Sequence, residues 1–165
     1  MGLDADALAV AAGELHVIDA ADALELANSA RGRPVPLACH HVGDWCVVLF
    51  LIKQTDGWWR EEVVCVEGGD VRGAGGGTGG IVELSSVRRG EPTIHGVGRH
   101  GIDDDCELLQ VDGVSADDIV SLCVSDEVVG AVRVAPHGRF VIAAVVPIDA
   151  EFTIEAGSQK GREEA

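Results

Sequence analysis

The feature that most restricts the fold is a series of short apolar segments separated by turn signals in the C-terminal half of the chain. Between Cys106 and Ala156 these segments recur roughly every 8–12 residues, which is typical of an antiparallel sandwich or barrel. No segment between them is long enough to be the helix of a βαβ crossover, so a parallel sheet is not expected. The turn signals are Asp112-Gly113, Ser125-Asp126, His137-Gly138 and Pro147.

Two hairpins are predicted, one before this C-terminal series and one within it. In the first, apolar and aromatic runs flank Asp56-Gly57, and the unbroken run Val47–Ile52 indicates a strand covered on both faces. The second is "AVRVAPHGRFVIAAV", with its turn at His137-Gly138. The segment "GIVELSSVRRG" is a further predicted strand.

The N-terminal part has a different character. Alanine-rich residues at the start and a capped, apolar stripe from Asp19 to Gly32 predict one or two short helices. We therefore expect a helical segment over residues 1–33 that packs on the sheet, a β-rich domain over 34–157, and a disordered tail over 158–165. Segments 1–33 and 34–157 are expected to form a single globular unit.

The predicted fold class is mainly β, either an antiparallel sandwich or an open barrel with these N-terminal helices. From Cys106 to Ala156 the strand spacing resembles that of immunoglobulin-like sandwiches. That stretch lacks the Cys…Trp…Cys signature of the family, so no membership is inferred.

The charge of the chain restricts its partners. The net charge is −16 over 165 residues, and the basic residues are scattered, so neither nucleic acid nor an anionic membrane is an expected partner. The acidity and the scarcity of lysine fit a salt-rich host, but a GC-rich genome also replaces lysine with arginine, so the charge does not identify a salt-rich host. The five cysteines show no CxxC spacing, and the N-terminus carries acids where a signal peptide carries bases, so the expected location is cytoplasmic.

The stretch Gly68–Gly80 contains eight glycines and formally matches G-x-G-x-x-G at Gly75, Gly77 and Gly80. A dinucleotide fingerprint requires a helix to begin at the third glycine, whereas "IVELSS" follows here. The sequence therefore predicts a flexible connector, or a mobile lid over a site, and no phosphate-binding residues.

The segment from Glu91 to Asp105 has little periodicity and is predicted to be a loop. Imidazole and carboxylate groups together suit zinc or another divalent transition metal, because histidine is a borderline ligand and aspartate supplies charge. The alternative is a solvated polar loop. The candidate ligands are His95, His100, Asp103 and Asp105 (with Asp104 between them), supplemented by His41.

We find neither a nucleophile elbow nor a Ser-His-Asp arrangement in the sequence, so no catalytic residue is predicted. Trp58 and Trp59 are adjacent, so in a strand one faces outward and could anchor a protein partner. The leading hypothesis is a non-catalytic interaction or structural module that binds a protein or itself. The alternative is a small metal-binding protein or metal-dependent hydrolase built on the histidine-aspartate segment.

Overall fold

The computed structural model describes residues 2–158 and is mainly β, with antiparallel sheets and two short helices. The predicted fold class, mainly β with antiparallel strands and short N-terminal helices, is therefore confirmed. Among residues 2–158, neither helix has the length and apolarity needed to cross a membrane. In chain order the elements are α1 (Leu3–Ala11), α2 (Ala23–Ser29), β1 (Val35–Val42), β2 (Trp45–Lys53), β3 (Trp59–Glu67), β4 (Asp70–Gly79), a 3-10 turn (Leu84–Ser86), β5 (Thr93–Gly101), β6 (Cys106–Val114), β7 (Ile119–Val124), β8 (Glu127–Arg133), β9 (Arg139–Pro147) and β10 (Thr153–Gly157).

The strands form three antiparallel sheets with the orders β1-β2-β3-β4, β5-β6-β9 and β10-β7-β8. The β5-β6-β9 sheet lies at the centre, because its alternate side chains pack in two directions. Leu109 and Ile142 join a core with Val120 of the β7 sheet. Leu108 and Val141 join a second core with residues of β2 and β3.

The run from Trp45 to Leu51 is buried throughout, as its unbroken apolar character predicts. Val47 and Leu49 face the central sheet, whereas Val48 and Phe50 pack against α1. Helix α2 covers the adjoining end of β1 and β2. Helix α1 therefore buries the outer face of the four-stranded sheet. Helix α2 packs on Leu51, which lies on the same face as Val47 and Leu49, so α2 covers the end of the face that the central sheet also covers. This burial stabilises both helices more than their own short hydrogen-bond ladders do.

The four-stranded and central sheets are joined along one side and diverge along the other. At the joined side, the Ala143 backbone N–H of β9 donates to Nδ1 of His40 on β1, over 2.9 Å. At the other side, β4 and β5 are the edge strands of their sheets and make few contacts with each other. A cleft consequently opens between β4 and β5.

The prediction of a flexible glycine connector is wrong. Residues Asp70–Gly79 form β4, which pairs along its length with β3. Glycine weakens a strand because it adds backbone entropy and no side-chain packing, and the sequence prediction relied on that tendency. Here the pairing with the well-buried strand β3 outweighs the poor strand propensity of the glycines.

Two neighbouring predictions are also wrong. The segment expected to be a loop contains β5 (Thr93–Gly101). Its sequence has little strand periodicity, and its pairing with β6 stabilises the extended conformation. The segment "GIVELSSVRRG" contains the 3-10 turn Leu84–Ser86 rather than a strand. Helix α2 is shorter than the stripe from Asp19 to Gly32 suggested, since it begins at Ala23.

The hairpin around Asp56-Gly57 is confirmed as β2–β3, but the one predicted at His137-Gly138 is not a hairpin. Strand β8 pairs with β7 around a turn at Ser125 and Asp126, whereas β9 pairs with β6 in another sheet. The predicted turn at Asp112-Gly113 lies inside β6. Gly113 is required there because a Cβ would lie 2.1 Å from the Thr93 carbonyl oxygen.

Candidate functional site

The cleft between β4 and β5 has a volume of about 680 Å³, and glycine is the commonest residue in its walls. On β3, Val63 and Cys65 face the central sheet, and with the period of two so do Glu61 and Trp59. Their partners on β4 are all glycines, at positions 73, 75, 77 and 79. Because this face of β4 carries no side chains, the cleft between the sheets is left unfilled.

Three polar side chains meet on the floor of this cleft. Glu61 lies on β3, His95 lies at a bulge in β5, and Asp112 lies on β6. One donor atom from each residue lies within 4.8 Å of the donor atoms of the other two. The group thus joins two sheets and three strands that are far apart in sequence.

The contact between His95 and Glu61 is a short hydrogen bond, in which Nδ1 donates to Oε2 over 2.7 Å. This bond raises the pKa of His95, since the carboxylate stabilises the imidazolium form. The other ring nitrogen, Nε2, is buried and has no hydrogen-bond partner. A buried polar atom without a partner is costly, which makes Nε2 a candidate to bind a ligand.

Asp112 has a carboxyl group with a strongly raised pKa. Burial, followed by the nearby charge of Glu61, raises its pKa from 3.8 to about 7. Only 6% of the residue is exposed. Two carboxylates in one poorly solvated site repel each other, so a cation between them would be strongly stabilised.

Arg139, at the start of β9, places a positive charge beside the group. It is 1% exposed, and its Nη2 donates to the Val82 carbonyl oxygen over 2.6 Å, while Nε and Nη1 have no partner. Burial lowers the pKa of Arg139. The negative charges of Glu61 and, to a smaller extent, Glu83 raise it and so oppose the effect of burial. Arg139 therefore offsets part of the negative charge of Glu61.

Two more glycines on the other wall make room for polar side chains of β6. A Cβ at Gly98 would lie 2.5 Å from Nε2 of Gln110, and a Cβ at Gly96 would lie 2.6 Å from Oδ1 of Asp112. Gln110 lines the cleft and is 6% exposed, yet its Oε1 has no hydrogen-bond partner. The floor of the cleft therefore offers an acceptor as well as the three-residue group.

Of the residues predicted from sequence as metal ligands, only His95 belongs to this group; His100 lines the same cleft but lies outside the group, and the others lie outside the cleft. His100 is at the far end of β5, where its Nε2 lies 3.3 Å from Sγ of Cys65. Asp103 and Asp105 are exposed in the β5–β6 turn, where Oδ1 of Asp103 accepts the backbone N–H of Asp105. His41 is exposed on β1, on the other side of the four-stranded sheet.

The two adjacent tryptophans differ in how far their side chains are exposed. Trp58 is 57% exposed at the β2–β3 turn. Trp59 is partly buried against the α2 core, and Nζ of Lys53 lies 4.7 Å from the centre of its ring. Trp58 is consequently the side chain available to a partner.

Glu61 and Asp112 were missed by sequence reasoning. Glu61 stands in "WWREEVV", where it looks like a solvated charge, and Asp112 looks like a turn residue before Gly113. The signal that points to them is the period of two. Asp112 shares a strand face with the buried residues Leu108 and Gln110, and a carboxylate on a buried face is rare without a partner.

Comparison of the sequence and the structure with family models, curated proteins and solved structures gave no match.

Proposed function

We propose that this protein binds a divalent transition-metal ion in the β4–β5 cleft, with Glu61, His95 and Asp112 as its ligands. The observation that carries the proposal is the convergence of one donor atom from each residue within 4.8 Å. One imidazole and two carboxylates suit zinc, manganese or ferrous iron. The proposal keeps the metal hypothesis drawn from the sequence but changes its ligands, retaining only His95.

The electrostatics of the apo site support a cation. Asp112 has a raised pKa because burial disfavours its ionised form, and because the charge of Glu61 lies nearby. A dication reverses this effect by favouring both ionised carboxylates and the neutral imidazole. Metal binding is therefore expected to release protons near neutral pH, and to weaken as the pH falls.

The glycine walls support access by a small molecule. A metal with three protein ligands keeps positions for water or substrate, and the cleft supplies the space beside it. The reaction class that such a centre would serve is hydrolysis by metal-activated water. Gln110, which lines the cleft, would then supply a hydrogen-bonding group close to the substrate.

The test is calorimetric titration of the full chain with Zn²⁺ and with Mn²⁺. One ion per chain is expected, and Asp112→Asn or His95→Ala should weaken binding by at least about a hundredfold, more than loss of an outer-shell partner does. The matched controls are His100→Ala and the double variant Asp103→Asn, Asp105→Asn, which should bind like the parent. Loss of binding in the controls alone would restore the ligand set predicted from the sequence.

A second function, binding a protein partner or a second copy of the chain, is favoured by the exposure of Trp58. An exposed tryptophan at a hairpin tip is a typical anchor for an interface. The test is light scattering during size-exclusion chromatography of the parent and Trp58→Ser. A concentration-dependent dimer that the substitution abolishes would support this function, and a monomer in both would argue against self-association.

A further inference from the structure

The long axis of the β4–β5 cleft follows from two contacts between β3 and β5. Near the start of both strands, Nδ1 of His95 lies 2.7 Å from Oε2 of Glu61. Further along both strands, Nε2 of His100 lies 3.3 Å from Sγ of Cys65, which is about 13 Å from Glu61 along β3. The two strands therefore run in the same direction across the cleft, and the three-residue group lies near the end that begins with Trp59.

That end of the cleft is apolar. Trp59 precedes Glu61 by two residues and lies on the same face of β3. Its partner on β4 is Gly79, and nothing in the described chain lies within 4 Å of where a Cβ of Gly79 would be. The space beside the indole can therefore accept a ring-sized apolar group. The apolar side chains that line this end are Trp59, Ile81 and Val82.

The other side of the three-residue group is polar. Gln110 precedes Asp112 by two residues on β6 and lies on the same strand face. It pairs with Gly98 of β5, which places it on the side of the group away from Trp59. Gln110 lines the cleft, and no donor among the described residues reaches its Oε1. A bound molecule with an N–H at this position would supply the missing donor.

Along the cleft the order is thus an apolar end, the group that we expect to bind a metal ion, and a hydrogen-bond acceptor. A secondary amide carries matching parts in the same order, namely an acyl group, a carbonyl oxygen and an N–H. We propose that the substrates of this site are secondary amides with an apolar acyl group, an inference that rests on the metal centre proposed above. The acyl group lies against Trp59, the carbonyl oxygen lies at the three-residue group, and the N–H donates to Oε1 of Gln110.

Hydrolysis of such an amide forms a bond between the oxygen of water and the acyl carbon, and it breaks the C–N bond. One proton of that water passes to the leaving nitrogen, so the products are a carboxylic acid and an amine. An ester with the same acyl group lacks the N–H and would leave Oε1 of Gln110 without a donor. Because a site built to hydrogen-bond a substrate group rejects an analogue that lacks it, amides are expected to be preferred to esters.

The test compares three hydroxamates by calorimetry with the zinc-loaded full chain. Benzohydroxamate has the phenyl group, the carbonyl and the N–H, whereas acetohydroxamate lacks the ring and N-methylbenzohydroxamate lacks the N–H. Benzohydroxamate should bind at least about tenfold more tightly than either analogue. Trp59→Leu should lose the preference over acetohydroxamate, and Gln110→Leu should lose the preference over the N-methyl compound. Trp58→Ser, at the exposed neighbouring position, is the matched control and should keep both preferences.

The zinc titration is run on the same samples, so that this inference and the metal centre can fail separately. A parent that binds zinc but shows neither preference would overturn the inference and leave the metal centre in place. If the parent binds no zinc, the metal-free chain is titrated with N-methylbenzamide and with N-methylacetamide. Only the first should shift the NMR signal of the Trp59 indole N–H, and the absence of this selective shift would overturn the inference.

Discussion

Nδ1 of His95 lies 2.7 Å from Oε2 of Glu61, and the two residues belong to different sheets, Glu61 to the inner strand β3 and His95 to the edge strand β5. The bond crosses the cleft where the two sheets diverge. Since it raises the pKa of His95, the folded protein favours the imidazolium form when the site is empty. Binding of a metal ion by His95 is therefore expected to release a proton from the imidazolium.

Replacing Glu61 by Gln should lower the pKa of His95, because the largest cause of the raised value is the hydrogen bond to that carboxylate. The measurement is an NMR pH titration of the histidine ring protons in the metal-free protein. Glu62→Gln is the matched control, since Glu62 pairs with Arg60 and is not part of the cleft group. A pKa of His95 that is the same in the parent and in Glu61→Gln would contradict the assignment.

Asp112→Asn should stabilise the metal-free protein at pH 8 and do so much less at pH 5. The folded-state pKa of Asp112, about 7, lies above its unfolded value of 3.8, so the folded protein binds the extra proton between those values. The stability that this proton contributes is present at low pH and is lost as the pH rises through 7. At pH 8 the ionised carboxyl costs on the order of 4 kcal/mol at most, and the amide removes that cost. Urea denaturation at the two pH values measures the difference, and an equal effect at both would count against a raised pKa.

Gly76→Ala should destabilise the fold, because the new Cβ would lie 1.9 Å from the backbone carbonyl oxygen of Glu61, which cannot move without disturbing the pairing of β3 and β4. A clash of this kind costs about 1–3 kcal/mol. Gly75→Ala is the control, since a Cβ there meets nothing within 4 Å. Chemical denaturation should therefore separate the two variants, although both add one methyl group to β4. If both were equally stable, β4 would be more adaptable than the structure indicates.

His137 should make the protein less stable in mild acid. Its Nε2 lies 2.9 Å from the carbonyl oxygens of both Ile18 and Leu37, and its Nδ1 accepts the Arg139 backbone N–H. Burial lowers its pKa below 6.5, so the unfolded chain binds a proton that the folded chain does not. Stability is then present above pH 6.5 and is lost as the pH falls below it.

The corresponding variant is His137→Ala, which should cost at least about 2 kcal/mol at pH 7.5, because it leaves buried backbone groups without partners. Its free energy of unfolding should also fall less steeply than that of the parent between pH 6.5 and pH 5. His16→Ala, at an exposed position, should retain the parental pH dependence. A parental acid slope in His137→Ala would show that another group is responsible.

The fold class could be predicted from the sequence, because apolar runs and turn dipeptides report strands directly. Val47–Ile52 shows this, since its unbroken apolar character matches a strand buried on both faces. The walls of the cleft could not be predicted, because glycine has a low strand propensity and β4 owes its order to its pairing with β3. The site itself depends on strands that are distant in sequence, so Glu61 and Asp112 carry no local signal that links them to His95.

The most direct test of the account is anomalous diffraction at the zinc absorption edge from crystals of the full chain soaked in Zn²⁺. We predict one strong peak between β3, β5 and β6, at about 2.0–2.2 Å from one donor atom each of Glu61, His95 and Asp112. A peak at His100 or in the Asp103–Asp105 turn, or no ordered peak in the β4–β5 cleft, would contradict the proposed metal centre.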